Sequence, residues 1–288
     1  LIVSFLHNNM TGQDSAEAEN DLAFYCDVMT NAAESRHRQS AMEKFNNLFF
    51  EALNQKGSFG NSFDSLKWIS KKYADDRSFR YLTWEARITD NDTRYFGVIQ
   101  RADGRVFELN DNFKQAEGLA EEEYGTDSWL GGICYHMMEV KSSADGRYFL
   151  IFGLNRLNAA ENVKIVDVLF FSAEGVPYFG KPVFVRTHKD GKEEITLNRL
   201  VFKYSADAMM TVNYNPGMDM IMYDHLIPRM SRIKTNTETL VPDGSYVGYE
   251  RKNDRWQYID KIATEVMDAA PRPKPVLDAR KGKKIFGN

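Results

Sequence analysis

An acid and an imidazole stand side by side in IMYDHLIPRM, Ile221 to Met230, where Asp224 and His225 close an apolar run just before Pro228. These residue types do general acid–base work when they face one substrate pocket, and with a nucleophile such as Ser231 they would make a hydrolase. Extended backbone opposes the pairing, because adjacent side chains of a strand point to opposite faces. A turn ahead of Pro228 is the geometry that would gather Asp219, Asp224 and His225 around one cleft. GxSxG is absent. The stretch therefore reads first as a strand end, and as a hydrolase site built on Asp224 and His225 only in the alternative.

The remaining chemistry-bearing residues are dispersed. The histidines are His7, His37, His136, His188 and His225, and none has HExxH or paired-cysteine spacing. Cys134 and His136 are two apart, so a regular strand would put a thiol and a base, or two metal ligands, on one face. A core cysteine beside a partly exposed histidine is the plainer expectation. His37, in ESRHRQS, is expected on a solvated helical face, and Glu121, Glu122 and Glu123 on a charged surface. Neither a P-loop nor GxGxxG opens a helix, so no cofactor and no metal is expected. A carbohydrate- or small-ligand-binding β module is a further alternative, and it needs Trp84, Trp129 and Trp256 to share an exposed groove.

Composition narrows the class. In 288 residues, 43% are hydrophobic and 27% charged, which is ordinary for a globular chain able to bury a full core. A formal net charge of -4 gives no overall attraction to nucleic acid. Two cysteines, Cys26 and Cys134, exclude a disulfide framework, and their spacing leaves a single bridge open. No apolar run reaches the roughly 20 residues of a membrane-spanning helix.

Helical periodicity comes first. From Ala18 to about Gln55 there is no Pro or Gly, and Leu22, Tyr25, Cys26 and Met29, then Met42, Phe45, Phe49 and Ala52, recur at three- and four-residue steps. This predicts one helix broken near residues 31–37, or two. SFDSLKWISKKY, with Ser62 as a cap, and NFKQAEGLAEEEY are expected to be further short helices. From Phe79 onward, strand alternation takes over, with turns at Asp103-Gly104, Asp145-Gly146, Glu174-Gly175, Asp190-Gly191 and Asn253-Asp254. The expected fold is α+β, mainly antiparallel β, a sandwich or rolled sheet with an N-terminal helical layer, and not a doubly wound nucleotide-binding fold.

The organisation reads as three parts. Residues 1–13, LIVSFLHNNMTGQ, suggest the remnant of an export signal, with a short strand as the alternative. Residues 14–266 form a compact region, either continuous or divided near 125. Residues 267–288 form a tail in which Pro271, Pro273 and Pro275 oppose regular structure, while Arg272, Lys274, Arg280, Lys281, Lys283 and Lys284 supply positive charge for a partner contact.

The ordered words VDVLFFSAEGVPYFGKPVF, LVFKYSADAMMTVNYN, IMYDHLIP and PDGSYVGYERKNDRWQYI resemble a family of uncharacterised exported proteins of Bacteroidota. The resemblance covers the latter half of the chain. It implies export and a periplasmic or outer-membrane-associated setting, and it transfers no active site. The resulting expectation is a non-enzymatic structural or interaction component of an envelope assembly, whose partner is another envelope protein and not nucleic acid.

Overall fold

The computed structural model describes residues 12–89, 91–187, 194–230, 238–260 and 262. The leading residues 1–11 and the tail from 267 lie outside this set, as do the residues of the Asp190-Gly191 turn. Two helices, α1 (Gly12–Asn31) and α2 (Ser35–Asn54), precede the strands. β1 (Ser70–Tyr73), β2 (Phe79–Thr89), β3 (Asp92–Arg101) and β4 (Val106–Asn110) pair in that order as a first sheet. β5 (Ile133–Ser142), β6 (Gly146–Asn155), β7 (Glu161–Phe171), β8 (Pro177–Phe179) and β11 (Leu200–Ser205) build a middle sheet, ordered β11-β7-β6-β5 with β8 also on β7. β9 (Phe184–Thr187), β10 (Glu194–Leu197), β12 (Val212–Asn215), β13 (Met220–Met230), β14 (Glu238–Lys252) and β15 (Arg255–Ile259) build an outer sheet, ordered β10-β9-β15-β14-β13-β12. Among the described residues, every strand pair is antiparallel except β15 with β9.

Side-chain alternation stacks these elements into four layers. In β2, Phe79 and Tyr81 enter a core shared with the middle sheet, while Leu82, Trp84, Ala86 and Ile88 face the helices. Leu22, Cys26, Met29, Phe45 and Phe49 cover that second face, with Tyr25 half-buried beside them. In β6, Phe149 and Ile151 look toward the first sheet, whereas Tyr148, Leu150 and Phe152 look toward the outer one. The middle sheet is thus buried on both sides, which explains why YFLIF and VDVLFF are nearly continuous apolar runs and not alternating ones.

Polar side chains lock the helical layer to its sheet. Arg80 and Gln100 lie directly opposite on β2 and β3 and are both fully buried. Gln100 Nε2 donates to the α2 carbonyl of Leu53 at 3.0 Å, satisfying a helix-end acceptor. Arg80 donates to Gln100 Oε1 at 2.8 Å and to the Ser58 carbonyl at 3.0 Å, so its charge sits among acceptors at the negative end of α2. Arg38 joins the other end, reaching the carbonyls of Ala32 at 2.6 Å and of Ile88 at 2.7 Å.

The turns expected at Asp103-Gly104, Asp145-Gly146, Glu174-Gly175 and Asn253-Asp254 all join successive strands. Asn253 and Asp254 both take positive φ, 50° and 62°, as a two-residue hairpin turn requires. Two expected helices are absent. SFDSLKWISKKY forms turns and then β1, burying Leu66 and Ile69 but leaving Trp68 48% exposed. NFKQAEGLAEEEY forms separate turns, because Gly118 at φ 57° breaks the helical path and its carbonyl accepts from Glu121 and Glu122.

Candidate functional site

The structure places Asp224 and His225 in different surroundings. Asp224 is buried, its Oδ2 accepting the Thr211 backbone N–H at 2.5 Å while its own N–H donates to the Thr211 carbonyl at 3.2 Å. It thereby pins the chain entering β12 to β13. His225 is half-buried, and its Nδ1 lies 2.8 Å from Asp243 Oδ2. The pair forms at an irregularity: the β13–β14 register shifts between Asp224 and Leu226, and Gly244 takes φ 91°. The Ser245 hydroxyl donates to Asp243 Oδ1 at 2.7 Å, and this bond, followed by His225, holds the Asp243 carboxyl down at about 2. The order Ser245–Asp243–His225 puts the carboxylate in the middle, where a nucleophilic relay needs the imidazole. Asp219 is engaged elsewhere, accepting from the Tyr214 hydroxyl at 2.8 Å.

These placements give different expected costs. Asp224→Ala leaves the Thr211 N–H without its acceptor and is expected to cost about 1–2 kcal/mol. His225→Gln, on the surface, stays within about 0.5 kcal/mol. Urea unfolding of the two variants checks the contrast, and equal losses would contradict it.

The other chemistry-bearing residues are likewise separated. A register shift between Cys134 and His136 sets them opposite the adjacent residues Gly153 and Phe152, hence on opposite faces, so the shared face expected of a regular strand is lost. Cys134 is buried between the first and middle sheets and Cys26 under the helices, and both thiols are free. Burial raises Cys134 to about 12 and Cys26 to about 11. Trp84, Trp129 and Trp256 are each buried, one in each of the three cores, so they do not share the exposed groove that the ligand-binding alternative asked of them. His37 and Glu121, Glu122 and Glu123 are exposed. Among the described residues, no three His, Cys, Asp or Glu side chains converge on a metal position, and no helix is long and apolar enough to cross a membrane. His7, His188, Ser231, Arg272, Lys274, Arg280, Lys281, Lys283 and Lys284 lie outside the described residues.

A different convergence stands beside His225. Where the outer sheet extends past β11, a groove of about 330 Å³ opens, lined by Phe202, Tyr223, Tyr249 and Tyr258, with Arg186, Lys203 and His225 also at its wall. Phe202 and Tyr223 have ring centroids 4.4 Å apart, and Tyr249 touches both Tyr223 (6.3 Å) and Tyr258 (5.5 Å). The Arg186 guanidinium lies 4.7 Å from the Tyr258 ring centroid, a cation–π arrangement. Burial pushes the Tyr223 and Tyr258 hydroxyls up and Tyr249 to about 12, so all three remain protonated at neutral pH. The groove therefore offers aromatic faces and cations together, while the Tyr258 hydroxyl donates to Asp260 Oδ1 at 3.1 Å beside them. The single-letter pattern gave little hint of it, because its tyrosines come from β13, β14 and β15.

The groove continues onto an arm. β12 pairs β13 only from Met220 to Tyr223, and β15 pairs β14 only from Gly248 to Lys252. Beyond those limits, Leu226–Met230 and Glu238–Pro242 pair with each other as a two-stranded ribbon. Leu226 and Leu240 line the groove, and Ile227 (39%), Met230 (64%) and Leu240 (36%) remain exposed along the ribbon. No protein-family model matches this chain, and searches of curated proteins and of solved structures found no match.

Proposed function

We propose that this chain is a non-enzymatic interaction component of a periplasmic or outer-membrane-associated assembly, and that it docks another envelope protein through the β13–β14 arm. The observation that carries the reading is the ribbon with Ile227, Met230 and Leu240 exposed along it. Val241 is buried against the rest of the protein, whereas the apolar side chains that face solvent on the ribbon gain most when a partner covers them. Export rests on the Bacteroidota resemblance, and the basic tail supplies a second contact that steers an acidic partner.

Gentle extraction from the source cell envelope tests this reading. The wild-type chain is expected in a stable complex, and Met230→Asp with Leu240→Asp is expected to release it without shifting the unfolding midpoint by more than surface changes do. Recovery of the wild type only as an unassociated species refutes docking. A complex that the double variant leaves intact refutes the arm.

A further inference from the structure

We infer that the groove beside the arm takes an extended acidic peptide segment of the partner, which pairs with the free edge of β11 as an added strand; this rests on the docking reading above. β11 is the terminal strand of the middle sheet and has β7 on one side alone. Its ladder includes Phe202 opposite Lys164 and continues as the Ala206 N–H donates to the Ala160 carbonyl at 2.8 Å. In an antiparallel pair, hydrogen-bonded and non-hydrogen-bonded positions alternate, so the even-numbered residues turn their peptide groups to β7. Val201 and Lys203 turn theirs outward, into the groove they line. Among the described residues, no backbone group bonds these outward N–H and C=O groups. Unpaired edge groups beside a hydrophobic wall are the requirements for strand addition.

The groove's side chains specify the occupant. Phe202, Tyr223, Tyr249 and Tyr258 give an apolar floor for alternate side chains of an added strand. Arg186 and Lys203 are exposed, and among the described residues no carboxylate forms an ion pair with either. Carboxylates at the remaining positions would meet these cations. The chain's own tail carries Arg272, Lys274 and the basic tract from Arg280 to Lys284, which repel the same cations, so charge favours an acidic segment from elsewhere. A volume of about 330 Å³ accommodates a few residues, matching the short exposed edge.

The test uses the whole chain, labelled with nitrogen-15, and the peptide Ac-TVEVEY-NH2. Two control peptides carry lysine for both glutamates, or N-methyl groups on both the first glutamate and the second valine, so that one methyl faces β11 whichever way the added strand runs. Saturable binding is expected to slow amide exchange at Val201 and Lys203 about tenfold or more, while Phe202, already bonded to β7, changes little. N-methylation is expected to weaken binding about tenfold, since one backbone hydrogen bond and its space are lost. Arg186→Glu is expected to reverse the preference toward the lysine peptide. No slowing at Val201 and Lys203, equal binding of the methylated peptide, or tighter binding of a peptide spanning residues 267–288 would each overturn the proposal. Envelope extraction separates the two readings. A complex that survives both Lys203→Pro and Arg186→Glu removes the groove and keeps docking. The absence of any complex, with the peptide still seated on β11, removes docking alone.

Discussion

Replacing Arg199 with methionine is expected to destabilise the protein by about 3–5 kcal/mol, the cost of leaving a buried partner uncompensated. Arg199 is fully buried, and its Nε donates to Asp167 Oδ1 at 2.9 Å. Nη1 reaches the carbonyls of Leu119 at 2.6 Å and Glu122 at 2.8 Å, and Nη2 reaches that of Phe179 at 3.0 Å. One guanidinium thus ties the 112–124 turns and β8 to the middle sheet. Gly180 is required beside it, because at φ 92° a Cβ would strike the guanidinium and the Glu122 carbonyl.

The pH dependence of that loss has a defined sign. Burial raises the Asp167 carboxyl above its ordinary value, with Arg199 acting against the rise. Without Arg199 the rise grows, so the folded state holds a proton that the unfolded chain releases from about 3.9 upward. The stability associated with that protonation is complete below the unfolded value and is lost as pH rises through the folded one. The methionine variant is therefore expected to approach wild type on acidification. Urea unfolding across the acidic range measures this, and a pH-independent penalty would mean that the lost carbonyl contacts dominate. Adding Asp167→Leu is expected to recover part of the loss at neutral pH, because no buried carboxylate then remains.

Trp84→Ala is the second large effect, with an expected cost of about 3–5 kcal/mol. Its ring is fully buried under α2, with centroids 5.3 Å from Phe49 and 5.8 Å from Phe45, and it stacks on Phe96 at 5.8 Å. Its Nε1 donates to Asn46 Oδ1 at 2.9 Å, so the substitution removes both packing and the donor that orients α2. Amide exchange in α2 is expected to accelerate more than in β6 and β7, because the helices cover one face of the first sheet while the middle sheet is covered on both sides. Uniform acceleration throughout would show that the layers unfold as one unit.

Legibility differed between elements and sites for a physical reason. Helical spacing from Leu22 to Phe49 and the Gly- or Asp-bearing turns are local signals, since a helix face and a tight turn are set by neighbours in sequence. They determined the helical layer and the hairpins as well as the antiparallel character. The same local reading failed where one residue changes a strand's phase: the irregularity at Cys134–His136 moved the two side chains to opposite faces, which regular alternation does not predict.

The sequence by itself determined an N-terminal helical layer packed on antiparallel strands, because burying an apolar stripe or face is already implied by its period. It also separated Asp224 from His225, since neighbours on extended backbone diverge. Tertiary structure alone decided that the strands form three stacked sheets, that Asp167 meets Arg199, that His225 meets Asp243, and that tyrosines from β13, β14 and β15 open one groove beside β11. Each of these contacts joins residues whose approach depends on sheet order and register, which are fixed by the simultaneous burial of all layers and not by any one segment.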